Sequence, residues 1–165
     1  MSDRKRTRRA CQLVGEFMRS WGELEGEMNR SIRRCYGLRF AEGSIITRNL
    51  GAQDKAKVLR TAVEFFSKNC MPKEWRDNAD KVIKDINKLI PDRNTVAHTA
   101  FKADHKGDVR LLRVLAVHTF SEQSVTWTRS QIEEKCQEMD KVCDALRHLS
   151  YELRQRRRSL REAAH

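Results

Sequence analysis

Within Pro91-Asp92-Arg93-Asn94-Thr95-Val96-Ala97-His98 the chain sets down a guanidinium, an amide and an imidazole. Arg93 brings a fixed positive charge and a fork of N–H donors, Asn94 both donates and accepts, and an imidazole titrates near neutral pH. Groups of these types make a phosphate-handling set, with a cation for phosphoryl oxygens and a side chain able to take or give a proton. If the segment is helical, Asn94 and His98 stand four apart and share a face. Arg93 then points about 140° away from His98 and joins the pair only through its length. Ala97 is small enough to let a substrate or another backbone approach.

The elements that must hold this cluster are helices. Val14, Phe17, Met18, Trp21, Leu24, Met28, Ile32 and Cys35 recur at three and four, predicting one long amphipathic helix from about Thr7 to Leu38 that ends near Gly37. Residues 39–51 read as a connection with a short apolar turn at Ile45 and Ile46. A second helix is expected from Ala52 to Asn69, with Val58, Leu59, Ala62, Val63, Phe65 and Phe66 inward. Pro72 suits the first turn of a third helix, whose inward stripe is Trp75, Ala79, Val82, Ile83, Ile86, Leu89 and Ile90. Pro91 is expected to stop or kink it, since proline removes a helix donor and clashes with the preceding turn.

After the cluster the period changes to two. Phe101-Lys102-Ala103 and Val109 to Val117 flank the turn-rich Asp104-His105-Lys106-Gly107-Asp108, which predicts a β-hairpin, with a third short strand around Ser124 to Thr128. Thr128 or Ser130 caps a last helix, and Glu133 and Glu134 suit its first turn. Its stripe is Ile132, Cys136, Met139, Cys143, Leu146, Leu149 or Ser150, and Leu153. The fold class is therefore mainly α: an antiparallel bundle of about four main helices with a small β-hairpin insertion. At 165 residues the chain suits a single domain, 1–165.

The net charge of +11 is concentrated at the ends, where residues 3–9 carry +4 and residues 154–162 another +4. The basic stretches 1–9 and 154–165 attract a polyanion without sequence preference, or are solubilising, partly disordered tails. Cys11, Cys35, Cys70, Cys136 and Cys143 form no CxxC pair and read as small reduced core residues. The histidines do not combine with them into a metal-ligand spacing, so no metal and no cofactor is expected. The absence of a membrane-length apolar run or of a signal-peptide pattern points to a cytoplasmic protein with no membrane partner.

Arg93-Asn94 followed by Ala97-His98, at the end of a bundle helix, resembles the Arg-x(4 to 6)-His motif of the HEPN family, whose motif arginine is usually followed by a polar residue. The resemblance implies a small helical bundle that dimerises, commonly a metal-independent ribonuclease of toxin, phage-defence or RNA-processing systems. It implies that two copies of the motif meet across a two-fold axis, with RNA as substrate and, for a toxin, an antitoxin protein as partner. His98 would serve as acid or base, Arg93 would stabilise the phosphate, and Asn94 would orient His98 or bind the RNA backbone. A second match, Arg113 to His118, is set aside. Its interior Val114-Leu115-Ala116-Val117 reads as a buried strand, on which an odd spacing sends the two side chains to opposite faces.

Glu25 is a possible adjunct. It lies on the first helix's stripe between Gly22 and Gly26, and serves either as a carboxylate facing a cleft or as a satisfied edge residue. The bland reading of the cluster itself is a helix-to-helix turn capped by Asn94, with Arg93 paired to Asp92 or Glu25 and His98 packed in the core. On that reading the chain is a non-catalytic helical module whose basic ends hold nucleic acid or an acidic protein. No Walker-type glycine loop, GxSxG or HExxH competes with either reading.

Overall fold

A computed structural model describes residues 2–68, 70–117 and 119–163, the side chains of 113–123 excepted. Among these residues are five helices and a three-stranded sheet: α1 (Asp3–Tyr36), α2 (Phe40–Arg48), α3 (Ala52–Ser67), α4 (Lys73–His98), β1 (Ala100–Ala103), β2 (Val109–Val117), β3 (Thr119–Trp127) and α5 (Arg129–Glu162). The expected class, mainly helical with a small antiparallel sheet, is what is found. No helix among the described residues is long and apolar enough to cross a membrane. The chain divides into two compact units, one of Met1–Gly22 with Pro91–Met139 and the other of Glu23–Ile90 with Asp140–His165.

In the first unit β1, β2 and β3 form an antiparallel meander in that order, with Phe101 opposite Leu111 and Val109 opposite Trp127. The turn between β1 and β2 closes on Asp104, whose Oδ1 accepts from the backbone N–H of Lys106 and Asp108, each at 2.8 Å. Gly107 follows at φ 87°, a left-handed conformation that costs glycine no Cβ clash. Along β2, Val109 and Leu111 are buried while Arg110 is exposed, the alternation expected of a strand with one covered face. These two residues join Ala10, Leu13, Phe17 and Trp21 of α1, Val96 of α4, Trp127, and Ile132 and Met139 of α5 as the unit's buried apolar set. Phe17 and Trp127 meet with ring centroids 5.6 Å apart.

In the second unit the inward stripes of α1, α3, α4 and α5 supply the core, including Leu24, Met28, Ile32, Leu59, Ala62, Ile83, Ile86, Leu146 and Leu153. One carboxylate is buried with them. Glu27 accepts from Arg30 Nε at 2.7 Å and from Arg34 Nη1, with Arg147 Nε of α5 at 3.5 Å. Ser31, also buried, donates to Ser150 at 3.1 Å and ties α1 to α5 a second time. Burial by itself would push the Glu27 carboxyl up, but the hydrogen bonds and charges of Arg30 and Arg34 hold it below the ordinary carboxylate range.

Several expectations are corrected. α4 does not stop at Pro91 but runs on to His98, with Pro91 inside it. Thr95 Oγ1 donates to the Pro91 carbonyl at 2.9 Å, and the side chains of Ile90 and Val96 on either side are buried, so packing offsets the donor that proline lacks. Residues 39–51 are not a plain connection, because α2 occupies most of them, making five helices where about four were expected. Its Ile45 and Ile46 are exposed, as is Phe65 of α3, which was expected inward. The third strand begins at Thr119 and ends before Thr128. Thr128 heads α5 with a reciprocal pair: its Oγ1 accepts from the Gln131 N–H at 3.2 Å while its own N–H donates to Gln131 Oε1 at 2.9 Å. Of the basic ends, residues 3–9 lie in α1 and residues 154–162 in α5. Cys11 is exposed and not a core residue. Asn69 and His118 lie outside the described residues.

Because Glu27 has its folded-state titration lowered, its contribution to stability is full above the unfolded carboxylate value of about 4.3 and is lost as pH falls through the folded one. Glu27→Ala is expected to cost about 3 kcal/mol at neutral pH, since it leaves Arg34 without its buried partner. It should also flatten the acid limb of the stability profile. Urea unfolding across pH 3 to 7, compared with the unaltered chain, measures both.

Candidate functional site

The cluster occupies the last two turns of α4, in the first unit. Val96 decides how it is presented. Val96 is buried, so on a helix the residues two before and two after it turn about 200° to the opposite side. Those residues are Asn94 and His98, and both are exposed. Arg93 and Asp92, three and four before Val96, lie near its side of the helix, and both are half-buried.

The half-buried pair is then split. Lys135 of α5 bonds Asp92 Oδ2 at 2.5 Å and sits with its ammonium 4.8 Å from the centre of the Trp127 ring. The carboxylate beside Arg93 is thereby occupied by another cation. Arg93 makes its hydrogen bond through Nη1 to Asn94 Oδ1 at 3.1 Å, and no carboxylate pairs with it among the described residues. Its Nε is buried without a hydrogen-bond partner among those residues. A buried donor left without a partner costs about 1–3 kcal/mol, so this N–H would gain by meeting an acceptor.

The arrangement brings Arg93, Asn94 and His98 together on the accessible end of one helix, with Ala97 exposed between them. It offers a cation with no carboxylate partner among the described residues, an amide whose oxygen accepts from the guanidinium, and an imidazole open to solvent. Asn94 lies inside α4 and caps nothing, His98 is exposed, and Arg93 hydrogen-bonds Asn94, not Asp92.

Glu25 belongs to the second unit, where its Oε1 accepts from the buried Lys55 Nζ at 2.6 Å. It stands as the satisfied carboxylate that was the other reading of its place on the stripe. The acid that sequence reasoning passed over is Glu27, which points inward at spacing three from Leu24 and is fully buried. The arginines at 30 and 34, three and seven residues on, were its signal, as they place two cations on one side of a single acid. Lys135 left no such signal, because it meets Asp92 from 43 residues away.

Three of the cysteines are held as thiols by their surroundings. Burial pushes the Cys35 thiol up to about 11 despite the nearby Arg157 and Arg34, and burial likewise raises Cys70 and Cys143. Among the described residues no group of three or more His, Cys, Asp or Glu side chains is placed to hold a metal ion. No protein-family model matches this chain, and neither a curated protein nor a solved structure matches it.

Lys135→Ala should remove a partly buried ion pair and a cation–π contact together, lowering unfolding stability by about 1–2 kcal/mol. Lys135→Met keeps the stem on Trp127 and should restore part of that loss. Thermal unfolding of the two variants beside the unaltered chain reads the difference.

Proposed function

We propose that this chain is a metal-independent endoribonuclease of the HEPN type, working as a homodimer, with Arg93, Asn94 and His98 as its catalytic set. The observation that carries the reading is the guanidinium of Arg93, left without a carboxylate among the described residues while exposed Asn94 and His98 share the neighbouring helix face. A cation of this kind recruits an anion, and the planar fork of arginine suits two phosphoryl oxygens at once.

Two copies of the set divide the chemistry. The neutral His98 of one subunit takes the proton from a ribose 2′-hydroxyl, whose oxygen forms a bond to the adjoining phosphorus. The protonated His98 of the other subunit gives its proton to the 5′-oxygen as the bond from that oxygen to phosphorus breaks. Arg93 stabilises the charge that gathers on the phosphoryl oxygens, and Asn94 steadies the guanidinium through its Oδ1. The products are a 2′,3′-cyclic phosphate and a 5′-hydroxyl, and no electrons are exchanged. Each subunit supplies every group once, and a two-fold contact doubles it. A role as toxin or phage-defence effector, checked by an antitoxin protein, follows from the same family reading.

His98→Ala is expected to lower RNA cleavage in EDTA by at least a hundredfold while helicity and RNA binding are retained. Cleavage by the unaltered protein should leave cyclic phosphate ends. If folded protein cuts no RNA across salt and pH, the alternative of a non-catalytic helical module holding nucleic acid or an acidic protein takes its place. As an effector, the chain should arrest growth when expressed, and Arg93→Ala should relieve the arrest; equal toxicity of both versions would count against the motif.

A further inference from the structure

The second unit carries a chemistry that the Arg93 to His98 cluster does not use. A cleft of about 410 Å³ opens between α1 and α2, and Arg30, Arg33, Arg48, Asn29 and Phe40 are among the residues that line it. A smaller cleft of about 150 Å³ adjoins it, sharing Arg33 and Phe40 and adding Arg34, Arg39 and Arg154. No acidic side chain lines either one among the described residues.

Phe40 stands where the two meet. It is 75% exposed, an unfavourable place for a phenyl ring, and the Arg33 guanidinium lies 5.6 Å from the ring centre. Gly43 keeps Arg33 in this position. A Cβ there would lie 3.1 to 3.2 Å from three carbons of the Arg33 stem, so α2 passes close because residue 43 has no side chain. Asn29 adds a buried Oδ1 without a hydrogen-bond partner among the described residues, on the wall of the larger cleft. Arg30 and Arg34 are tied to Glu27, which fixes their positions from behind.

We propose that these joined clefts bind a single strand of RNA, with one base stacked on Phe40 and phosphates on either side taken by Arg33, Arg39, Arg48 and Arg154. An exposed ring set among arginines serves a strand whose bases are open. A duplex hides its base faces, and an acidic peptide has no flat face to stack. The choice of RNA over DNA rests on the ribonuclease reading; the grip itself rests on the clefts.

The test uses full-length protein carrying His98→Ala, so that no probe is consumed. A fluorescein-labelled oligouridylate of about a dozen nucleotides is titrated and followed by anisotropy. Adding Phe40→Ala should weaken binding by about tenfold while leaving a duplex RNA of equal length bound as before. Adding Arg48→Ala instead should reduce the slope of log affinity against log salt by about 0.7, the signature of one lost phosphate contact on a single strand. Circular dichroism checks that both variants keep their helices. The proposal is overturned if both bind the oligouridylate like their parent, or if a poly-glutamate peptide competes as well as RNA does. If the cleft variants bind like their parent while the unaltered protein cleaves RNA, this proposal alone fails. Cleft-dependent binding beside absent cleavage sinks only the catalytic one.

Discussion

The ammonium of Lys135 answers two demands at once, the carboxylate of Asp92 and the face of Trp127, and the character of the site follows from that choice. Asp92 and Arg93 are adjacent on α4 and point about 100° apart, so each finds its partner separately. With Asp92 engaged by α5, Arg93 turns to the amide of Asn94, a neutral partner that leaves its charge uncompensated. Trp127 is buried against Phe17 of α1, so the lysine is fixed by a ring that is itself fixed. An ion pair of this exposure contributes little to stability. Its effect is on which charges remain available to a ligand.

A parallel arrangement operates in the second unit with the signs reversed. Glu27 is the buried acid, and three arginines of α1 and α5 converge on it. Each bond to Glu27 uses part of a guanidinium, and Arg30 and Arg34 also line the clefts beside Phe40. A buried carboxylate of this sort orders cations that would otherwise repel one another, which pre-arranges a surface for a polyanion. Both units thus hold arginine in place through a partner that does not cancel all of its charge.

Helix periodicity was legible from residue types alone. The stripes of α1, α4 and α5 fall where threes and fours predict, and the two-residue period of β2 with the Asp104 to Asp108 turn marks the hairpin. The failures have separate physical causes. Pro91 reads as a terminator because local geometry disfavours it in a helix, yet buried Ile90 and Val96 on either side outweigh that local cost. α2 was missed because its apolar residues Phe40, Ile45 and Ile46 face outward, so no inward stripe advertises it.

The sequence by itself determined which groups sit one helical turn apart: Asn94 with His98, and Glu27 with Arg30 and Ser31. Those spacings hold in any helix, because the rise and turn are set by the backbone. Only the tertiary structure decided which charges would be cancelled. Asp92 meets a lysine 43 residues on, Glu25 a lysine 30 residues on, and Glu27 an arginine 120 residues on. Such pairings depend on how one helix is packed against another, and no local periodicity records them. For that reason the members of the candidate site could be named from the chain, whereas the lack of a carboxylate partner for Arg93 among the described residues could not.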